Sequence, residues 1–143
     1  MRPIEPPEDG SPTGGLVPLL DHLDLRPIAV GDGRSRVEVV IAPIHLRSKG
    51  IAHGGLFAAL LDTTLGWAAG SLAPEGMDVV TAQLNINFIR PARPGERLIA
   101  EAEVQHSGRR TAVARAEVKT ADGHLAATGS ATFLFVRLDG PGN

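Results

Sequence analysis

From about residue 34 onward, apolar and polar residues alternate along most of the chain, which is the pattern of β-strands with one buried face. The pattern recurs in five segments, and we predict strands over residues 36–41, 81–88, 98–104, 112–118 and 125–136. Loops at Gly95, Ser107-Gly108 and Asp122-Gly123 separate the last four segments at the spacing of an antiparallel meander. In the most regular segment, the predicted faces are Ala82, Leu84, Ile86 and Phe88 on the apolar side and Thr81, Gln83, Asn85 and Asn87 on the polar side.

One segment departs from this alternation. Between His53 and about Ser71, the sequence GGLFAALLDTTLGWAAGS is rich in Ala and Leu and apolar almost all round. This composition predicts a helix that is buried on most sides. One buried helix followed by four long strands, with shorter strands before it, predicts an α+β fold in which an antiparallel sheet curls around a central helix.

Both ends of the chain are rich in Pro and Gly. We predict a flexible N-terminal tail over residues 1–15, a single domain over residues 16–137 and a C-terminal tail over residues 138–143. The first fifteen residues lack the apolar stretch of a signal peptide, and no run is long enough to cross a bilayer. Because the chain has no cysteine, nothing indicates an oxidising compartment, and we expect a cytoplasmic protein that does not contact membranes.

Composition excludes several kinds of chemistry. With 14 Lys+Arg against 16 Asp+Glu, the chain lacks the basic surface expected of a nucleic-acid-binding protein. A thiolate nucleophile is excluded, the five histidines lack zinc-site spacing, and neither a G-x-S-x-G elbow nor a nucleotide-binding glycine motif occurs. We therefore expect no metal and no cofactor. A carboxylate that activates water or attacks directly, beside backbone donors, remains possible and would suit acyl transfer or hydrolysis.

Asp62 is the unusual residue of the predicted helix, because it lies among Leu60, Leu61 and Leu65. Burying an unpaired carboxylate costs several kcal/mol, so Asp62 needs an explanation. Two interpretations are open. Either Asp62 pairs with a structural partner, or it serves in a functional cleft.

The residues His53-Gly54-Gly55 come at the start of the same helix. Glycines there let a ligand approach the backbone closely, and unpaired N–H groups at a helix N-terminus suit an oxyanion or a phosphate. The same residues would also serve a simple transition from loop to helix.

Three segments together resemble a known family. They are HGGLFAALLDTTLG, TAQLNINFIRPARPGE and HSGRRTAVARAEV. They resemble the hotdog-fold acyl-CoA thioesterases of the phenylacetate-pathway (PaaI-like) type, which are similar to the second group of 4-hydroxybenzoyl-CoA thioesterases, over roughly residues 20–137. The resemblance implies a hotdog fold and hydrolysis of an aryl- or acyl-CoA thioester to the free acid and CoA.

The resemblance also implies roles for particular residues. In that family the HGG segment begins the central helix, and a carboxylate about two turns later is catalytic. Carried over, the Gly54 N–H polarises the thioester carbonyl beside His53 and Gly55, and Asp62 is the general base or the nucleophile. Thr81 would be the polar residue on the following strand that helps to position water.

Substrate-binding candidates follow from the same comparison. The family usually has Asn or Gln six residues before the HGG histidine, and this chain has Arg47 there. His45 either reaches the same place or lies in an exposed loop. Basic residues beside turns would bind the CoA nucleotide, because guanidinium groups suit phosphate oxygens, although each could equally be solvated surface charge. These candidates are Arg90, Arg93, Arg109 and Arg110.

Helix geometry predicts an active site shared between two chains. Asp62 follows Gly54 by eight residues, which is about 12 Å along a helix and too far for one thioester to contact both. Two antiparallel central helices in a two-fold homodimer would bring Gly54 of one chain near Asp62 of the other. The resemblance implies such homodimers, often paired into homotetramers. Two alternatives stay open, a non-catalytic acyl-CoA-binding protein and a hotdog hydratase or dehydratase.

Overall fold

The computed structural model describes residues 1–138, so most of the predicted C-terminal tail lies outside the described residues. The elements in chain order are β1 (Arg2–Pro3), α1 (Pro18–Leu23), β2 (Arg26–Gly31), β3 (Arg34–Val40), a 3-10 helix (Pro43–His45), α2 (Gly54–Gly70), β4 (Asp78–Phe88), β5 (Arg97–Ser107), β6 (Thr111–Thr120) and β7 (Leu125–Val136). The strands form one seven-stranded antiparallel sheet in the order β1-β2-β3-β5-β6-β7-β4.

The sheet wraps around α2, which packs against β3, β4, β5, β6 and β7. Alternate strand residues face the helix, and many of them are alanines that let the backbones approach closely. At Gly129 of β7 a Cβ would lie only 3.2 Å from a methyl group of Leu61, so a larger residue would require the Leu61 side chain to shift. The predicted hotdog α+β fold is confirmed, and each of the five predicted strands has its counterpart in β3, β4, β5, β6 or β7. The buried alanines on the two central strands are Ala100, Ala102, Ala112, Ala114 and Ala116.

The pairing of β4 differs from the predicted meander. β4 pairs with β7 at the sheet edge, while β5 pairs with β3 and β6. The segment that contains Gly95 therefore connects the edge strand β4 to the central strand β5 and is not a hairpin turn. Alternation predicts which residues share a face, but it carries no information about which strands are neighbours.

A β-bulge changes the predicted faces of β4. Thr81 pairs with Phe133 and Gln83 pairs with Thr132, so Ala82 is an extra residue that the partner strand does not match. Strict alternation puts Thr81 and Leu84 on opposite faces of β4, but the bulge turns both side chains toward α2. The prediction for Ala82 is wrong for the same reason, since its side chain is exposed.

The N-terminal region contains structure that the alternation does not predict. α1 begins at Pro18, a favoured first helical residue, and buries Leu20 in the core. Residues 1–15 were expected to form a loose tail, but Arg2–Pro3 pair with β2 and the Ile4 N–H donates to Ile28 O at 2.8 Å. Their flexibility and the domain boundaries stay predictions.

Within residues 1–138, no helix is both long and apolar enough to cross a membrane. The expected cytoplasmic location stays a prediction.

An ion-pair cluster ties β3 to β5 on the outer face of the sheet. Glu38 is buried and accepts hydrogen bonds from Arg36 Nη2 at 2.7 Å and from Arg97 Nε at 2.8 Å. Burial raises the pKa of Glu38, but the hydrogen bonds from Arg97 and Arg36 outweigh it and hold the pKa below 4.5, its ordinary value. Because the folded pKa is depressed, ionised Glu38 stabilises the fold above that value, and this contribution is lost as the pH falls through the lowered pKa.

We expect Glu38→Gln to reduce the free energy of unfolding by about 1–3 kcal/mol at neutral pH, because two charge-assisted interactions are lost. Urea unfolding of both proteins at neutral and acid pH measures the difference, which should shrink on acidification. Glu101→Gln, at an exposed carboxylate near Arg36 on the same face, should cost less than about 1 kcal/mol. If the difference in free energy of unfolding between the wild type and Glu38→Gln were as large in acid as at neutral pH, the ion-pair explanation would be contradicted.

Candidate active site

The start of α2 presents one unpaired backbone donor. His53 is the N-cap, and its Nδ1 accepts the Gly55 N–H at 2.7 Å, while the Leu56 N–H donates to His53 O at 2.9 Å. The Gly54 N–H has no partner among residues 1–138. It lies at the positive end of the helix dipole, where a developing negative charge is stabilised.

The glycine at position 55 has a different role from the predicted one. Its N–H is already bound by His53, so it does not offer that donor to a substrate. A Cβ at Gly55 would lie 2.9 Å from His53 Nδ1 and would displace the capping ring. Gly55 therefore allows the histidine to cap the helix and leaves Gly54 as the available donor.

Asp62 lies two turns along α2, half-buried, and accepts a hydrogen bond from Thr81 Oγ1 at 2.7 Å through Oδ1. The bulge in β4 turns Thr81 toward the helix and makes this contact possible. No Lys, Arg or His forms an ion pair with Asp62 within residues 1–138. The carboxylate is therefore oriented by a neutral hydroxyl and keeps Oδ2 for other partners.

A cavity of about 540 Å³ lies beside Asp62. Its lining includes Thr63, Gly66, Trp67 and Gly70 of α2. None of these four was among the predicted site residues, although Asp62, Gly66 and Gly70 are spaced by four and therefore share one helix face. That spacing was the signal that could have identified the cavity wall.

A groove of about 510 Å³ lies on the outer face of the sheet, lined by charged residues of β3, β5 and β6 that include Glu101, Glu117 and Arg115. The sheet separates this groove from α2. It contains neither the Gly54 donor nor the Asp62 carboxylate, so the cavity beside Asp62 is the candidate site.

Gly54 and Asp62 lie on one unbroken helix. Eight residues separate them, and a rise of 1.5 Å per residue puts them about 12 Å apart along the axis. A single carbonyl group cannot contact both residues of the same chain. The premise of the predicted shared site, a continuous helix between them, is therefore present in the structure.

His45 differs from both of its predicted alternatives. It is buried, its Nδ1 accepts the Ala42 N–H at 3.0 Å, and its Nε2 donates to Leu23 O at 2.6 Å. The expectation of an exposed loop residue is wrong, and neither ring nitrogen is left for a substrate. His45 instead joins α1 to the segment before α2, because its carbonyl oxygen also accepts the His53 N–H at 2.8 Å.

The predicted nucleotide-binding arginines are exposed, but they lie at two ends of the sheet. Arg90 N–H donates to Ala126 O near the start of β7, whereas Arg110 O accepts the Phe135 N–H near its end. Nine residues of strand separate those two positions, which is about 30 Å. One chain therefore cannot gather all four arginines around a single nucleotide.

Arg93 and Arg47 lie at the end that contains the start of α2. Ala92 O accepts the Ala52 N–H at 2.8 Å, so the strand connection that carries Arg93 runs beside the residue before His53. Arg47 is exposed in the turn that closes with its N–H donating to Ile51 O at 2.8 Å. These two arginines and Arg90 share the Gly54 end, and Arg109 and Arg110 lie at the opposite end.

The arrangement combines an unpaired helix-start N–H, a carboxylate without a counterion and an adjoining cavity. Such groups can polarise a carbonyl oxygen and activate or replace a water nucleophile. A model of the thioesterase superfamily matches residues 49–127, more than half of the chain, and the chain belongs to that superfamily.

Individual relatives agree with this membership. The acyl-coenzyme A thioesterase PaaI of Escherichia coli K12 is 31% identical over 91 residues, which cover 64% of this chain and 63% of that protein. The solved structure of E. coli PaaI, from the phenylacetic acid degradation operon, has a TM-score of 0.79 and 26% identity, covering 87% of each chain. The Haemophilus influenzae thioesterase HI1161 has a TM-score of 0.78 and 25% identity, covering 87% of each chain. The predicted resemblance to PaaI-like proteins and the predicted class, a thioester hydrolase, are confirmed.

We expect His45→Ala to lower the free energy of unfolding by about 2–4 kcal/mol, because Leu23 O and the Ala42 N–H would lose their partner inside the fold. His53→Ala should cost only about 1 kcal/mol, the usual effect of losing an N-cap. Denaturant unfolding of the two variants measures both. Equal losses would show that His45 is not the structural histidine of this region.

Proposed function

We propose that this protein hydrolyses an aryl- or acyl-CoA thioester to the free carboxylic acid and CoA. The observation that carries the proposal is that, within residues 1–138, the Gly54 N–H at the helix start has no partner and the Asp62 carboxylate forms no ion pair. Related proteins support the choice of substrate class. E. coli PaaI is an acyl-coenzyme A thioesterase, and a Streptococcus mutans structure bound to acetyl-CoA has a TM-score of 0.73 and 25% identity, covering 81% of this chain and 91% of that one.

In this mechanism the Gly54 N–H and the α2 dipole stabilise the negative charge that develops on the thioester oxygen. Thr81 holds Oδ1 of Asp62, and the other oxygen either removes a proton from water or attacks the carbonyl to form a mixed anhydride. In either route the C–S bond breaks and CoA leaves as the thiol after protonation. In base catalysis the water oxygen ends in the acid, whereas in the anhydride route water attack at the Asp62 carbon leaves the water oxygen in Asp62 and releases the acid with an Asp62 oxygen. Oxygen-18 label that enters Asp62 in a single turnover would rule out simple base catalysis.

We further propose a homodimer with two shared sites, each built from Gly54 of one chain and Asp62 of the other. The outer edge of β4 pairs with no strand among residues 1–138, and an unpaired edge of eleven residues is a ready surface for a second copy. Phe88 and Ile89 are 59% and 53% exposed next to this edge, which favours burial in an interface. Pairing of such dimers into tetramers remains an expectation.

A shared site would bring the two separated groups of arginines close to the same substrate. Arg47, Arg90 and Arg93 lie at the Gly54 end of one chain, and Arg109 and Arg110 lie beyond the Asp62 end of the same chain. In an antiparallel dimer, the Gly54 end of one chain approaches the Asp62 region of its partner. We propose that the CoA phosphates contact a subset of these guanidinium groups from either chain.

A non-catalytic acyl-CoA-binding protein remains the second candidate, because Arg47 stands where relatives of the resembled type carry Asn or Gln. A free-thiol release assay over aryl- and acyl-CoA substrates separates the two candidates. Binding of CoA esters without thiol release from any of them would favour the binding protein.

We expect Asp62→Asn to reduce kcat by about 100- to 10,000-fold, the usual contribution of a positioned acid or base, with no loss of fold. The amide oxygen can still accept from Thr81, so thermal unfolding should be little changed. Thr81→Val should lower kcat to a smaller extent, and Thr81→Ser, which keeps the hydroxyl, should retain more of it. A folded Asp62→Asn variant with near wild-type turnover would contradict this mechanism.

We expect Gly54→Pro to remove the oxyanion donor without unfolding α2. Gly54 is the first helical residue, where proline is favoured, and His53 has the extended backbone that proline requires before it. Gly54→Ala is the matched control, because it adds a Cβ in ordinary contact with Phe88 at 3.4 Å and keeps the N–H. The proline variant should lose about 100- to 1,000-fold in kcat, and the alanine variant should lose much less.

Mixing the two inactive chains tests the shared site. A heterodimer of Asp62→Asn with Gly54→Pro has one site with both defects and one site with neither, so activity should return toward half of the wild-type value per dimer. Mass spectrometry verifies that heterodimers have formed. Verified heterodimers without activity would contradict the shared site, as would a fully active monomer.

A further inference from the structure

The cavity beside Asp62 continues along α2 away from the helix start. Asp62, Gly66 and Gly70 lie at successive turns of one helix face, and all three line the cavity. The opposite wall comes from Val79 of β4 and Phe133 of β7. The cavity is therefore a trough that starts at the carboxylate and extends about 12 Å, the length of eight helical residues.

The fold does not require glycine at either position in the floor of this trough. Both residues have helical backbone, and glycine inside a helix is less favourable than alanine. A Cβ at Gly66 would meet Phe133 at 3.5 Å, and one at Gly70 would meet Val79 at 3.7 Å, which are ordinary contacts. What the missing methyl groups provide is space next to Asp62.

The side chains that line the trough are mostly apolar, and Val17, Leu19 and Trp67 are among them. Among residues 1–138, the charged residues in the lining are Asp62 and Asp78, both acidic, and no Lys, Arg or His takes part. An acyl group that ends in a carboxylate would meet like charge without a compensating cation.

We propose that this trough holds the acyl group of the substrate, that the group is neutral and apolar, and that Gly66 and Gly70 set the largest size accepted. The inference rests on the proposed thioester hydrolysis at Asp62. A bound carbonyl near Asp62 would direct its acyl group toward Gly66 first and Gly70 second. Substrate selection by this chain would then depend on two residues that make no polar contact with the substrate.

The wild-type protein tests the chemical class. We expect kcat/KM to rise along the series acetyl-, butyryl- and hexanoyl-CoA as the trough fills, by several-fold or more for each added pair of methylenes. Succinyl-CoA, which resembles butyryl-CoA but ends in a carboxylate, should be at least about tenfold poorer than butyryl-CoA. Equal efficiency with succinyl- and butyryl-CoA would overturn the assignment of a neutral acyl group.

Two glycine variants test the floor of the trough and serve as controls for each other. Gly66→Ala, one turn from Asp62, should reduce kcat/KM by about tenfold for butyryl- and longer chains. Gly70→Ala, two turns away, should reduce kcat/KM by about tenfold for hexanoyl- and longer chains and by less for butyryl-CoA. In both variants acetyl-CoA should be the least affected substrate, and both should melt at the same temperature or a few degrees higher, since alanine is favoured in a helix.

The test depends on the acyl chain length at which each variant loses much of its kcat/KM, which should be shorter for Gly66→Ala than for Gly70→Ala. Identical chain-length profiles for the wild type and both variants would overturn the inference, as would a cut-off that is shorter for Gly70→Ala than for Gly66→Ala. A uniform loss on every substrate, acetyl-CoA included, would show general damage to the site and would also count against it.

Binding of thioether analogues of the same acyl-CoAs separates this inference from the proposed function, because these analogues cannot be hydrolysed. Their dissociation constants, measured by calorimetry, should show the same length cut-offs in Gly66→Ala and Gly70→Ala. Absence of turnover with these cut-offs intact would refute the hydrolase and leave the trough as an acyl-binding site. Turnover by the wild type with no dependence of binding on either glycine would refute the trough and leave the hydrolase.

Discussion

Burial of α2 against the concave face of the sheet is the packing constraint on which the rest of the structure depends. The helix packs mainly against five strands, and the two central strands approach it closely because many of their inward positions carry Ala. Ser35 of β3 reinforces the contact by donating to Thr64 O of the helix at 2.5 Å. Removal of apolar area from water on one side of α2 therefore holds the helix in a defined position relative to every strand.

That packing leaves one side of the helix half-buried, and the candidate chemistry lies on that side. The first backbone N–H of the helix, the Asp62 carboxylate and the glycines at positions 66 and 70 are all held by the same rigid element. A helix cannot bend to bring residues eight positions apart into contact. The geometry that stabilises the monomer is thus also the reason why we infer that a second chain completes the site.

The polar side chains near α2 divide into structural and functional groups, and the division follows their hydrogen bonds. His45 uses both ring nitrogens in hydrogen bonds that join two backbone segments, so neither nitrogen is available to a substrate. His53 uses one ring nitrogen to cap the helix, and this contact decides which glycine N–H stays available. Asp62 has a single neutral donor from Thr81 within residues 1–138, which orients the carboxylate and leaves Oδ2 for other partners. The proposed function rests on this difference in hydrogen bonding.

The strands β3 to β7 and the central helix could be predicted from the sequence, because period-two alternation and an Ala- and Leu-rich run are local signals. Asp62 and Gly54 could be selected as candidate site residues, Asp62 as a lone carboxylate in an apolar run and both through the family resemblance. Three features became visible only in the folded chain: β4 pairs with β7, a bulge at Ala82 turns Thr81 toward Asp62, and His45 is buried. The folded chain also separates the arginines to two ends of the sheet. The physical reason is that these outcomes depend on contacts between residues far apart in the chain, and such contacts leave no periodic trace in the residues that make them.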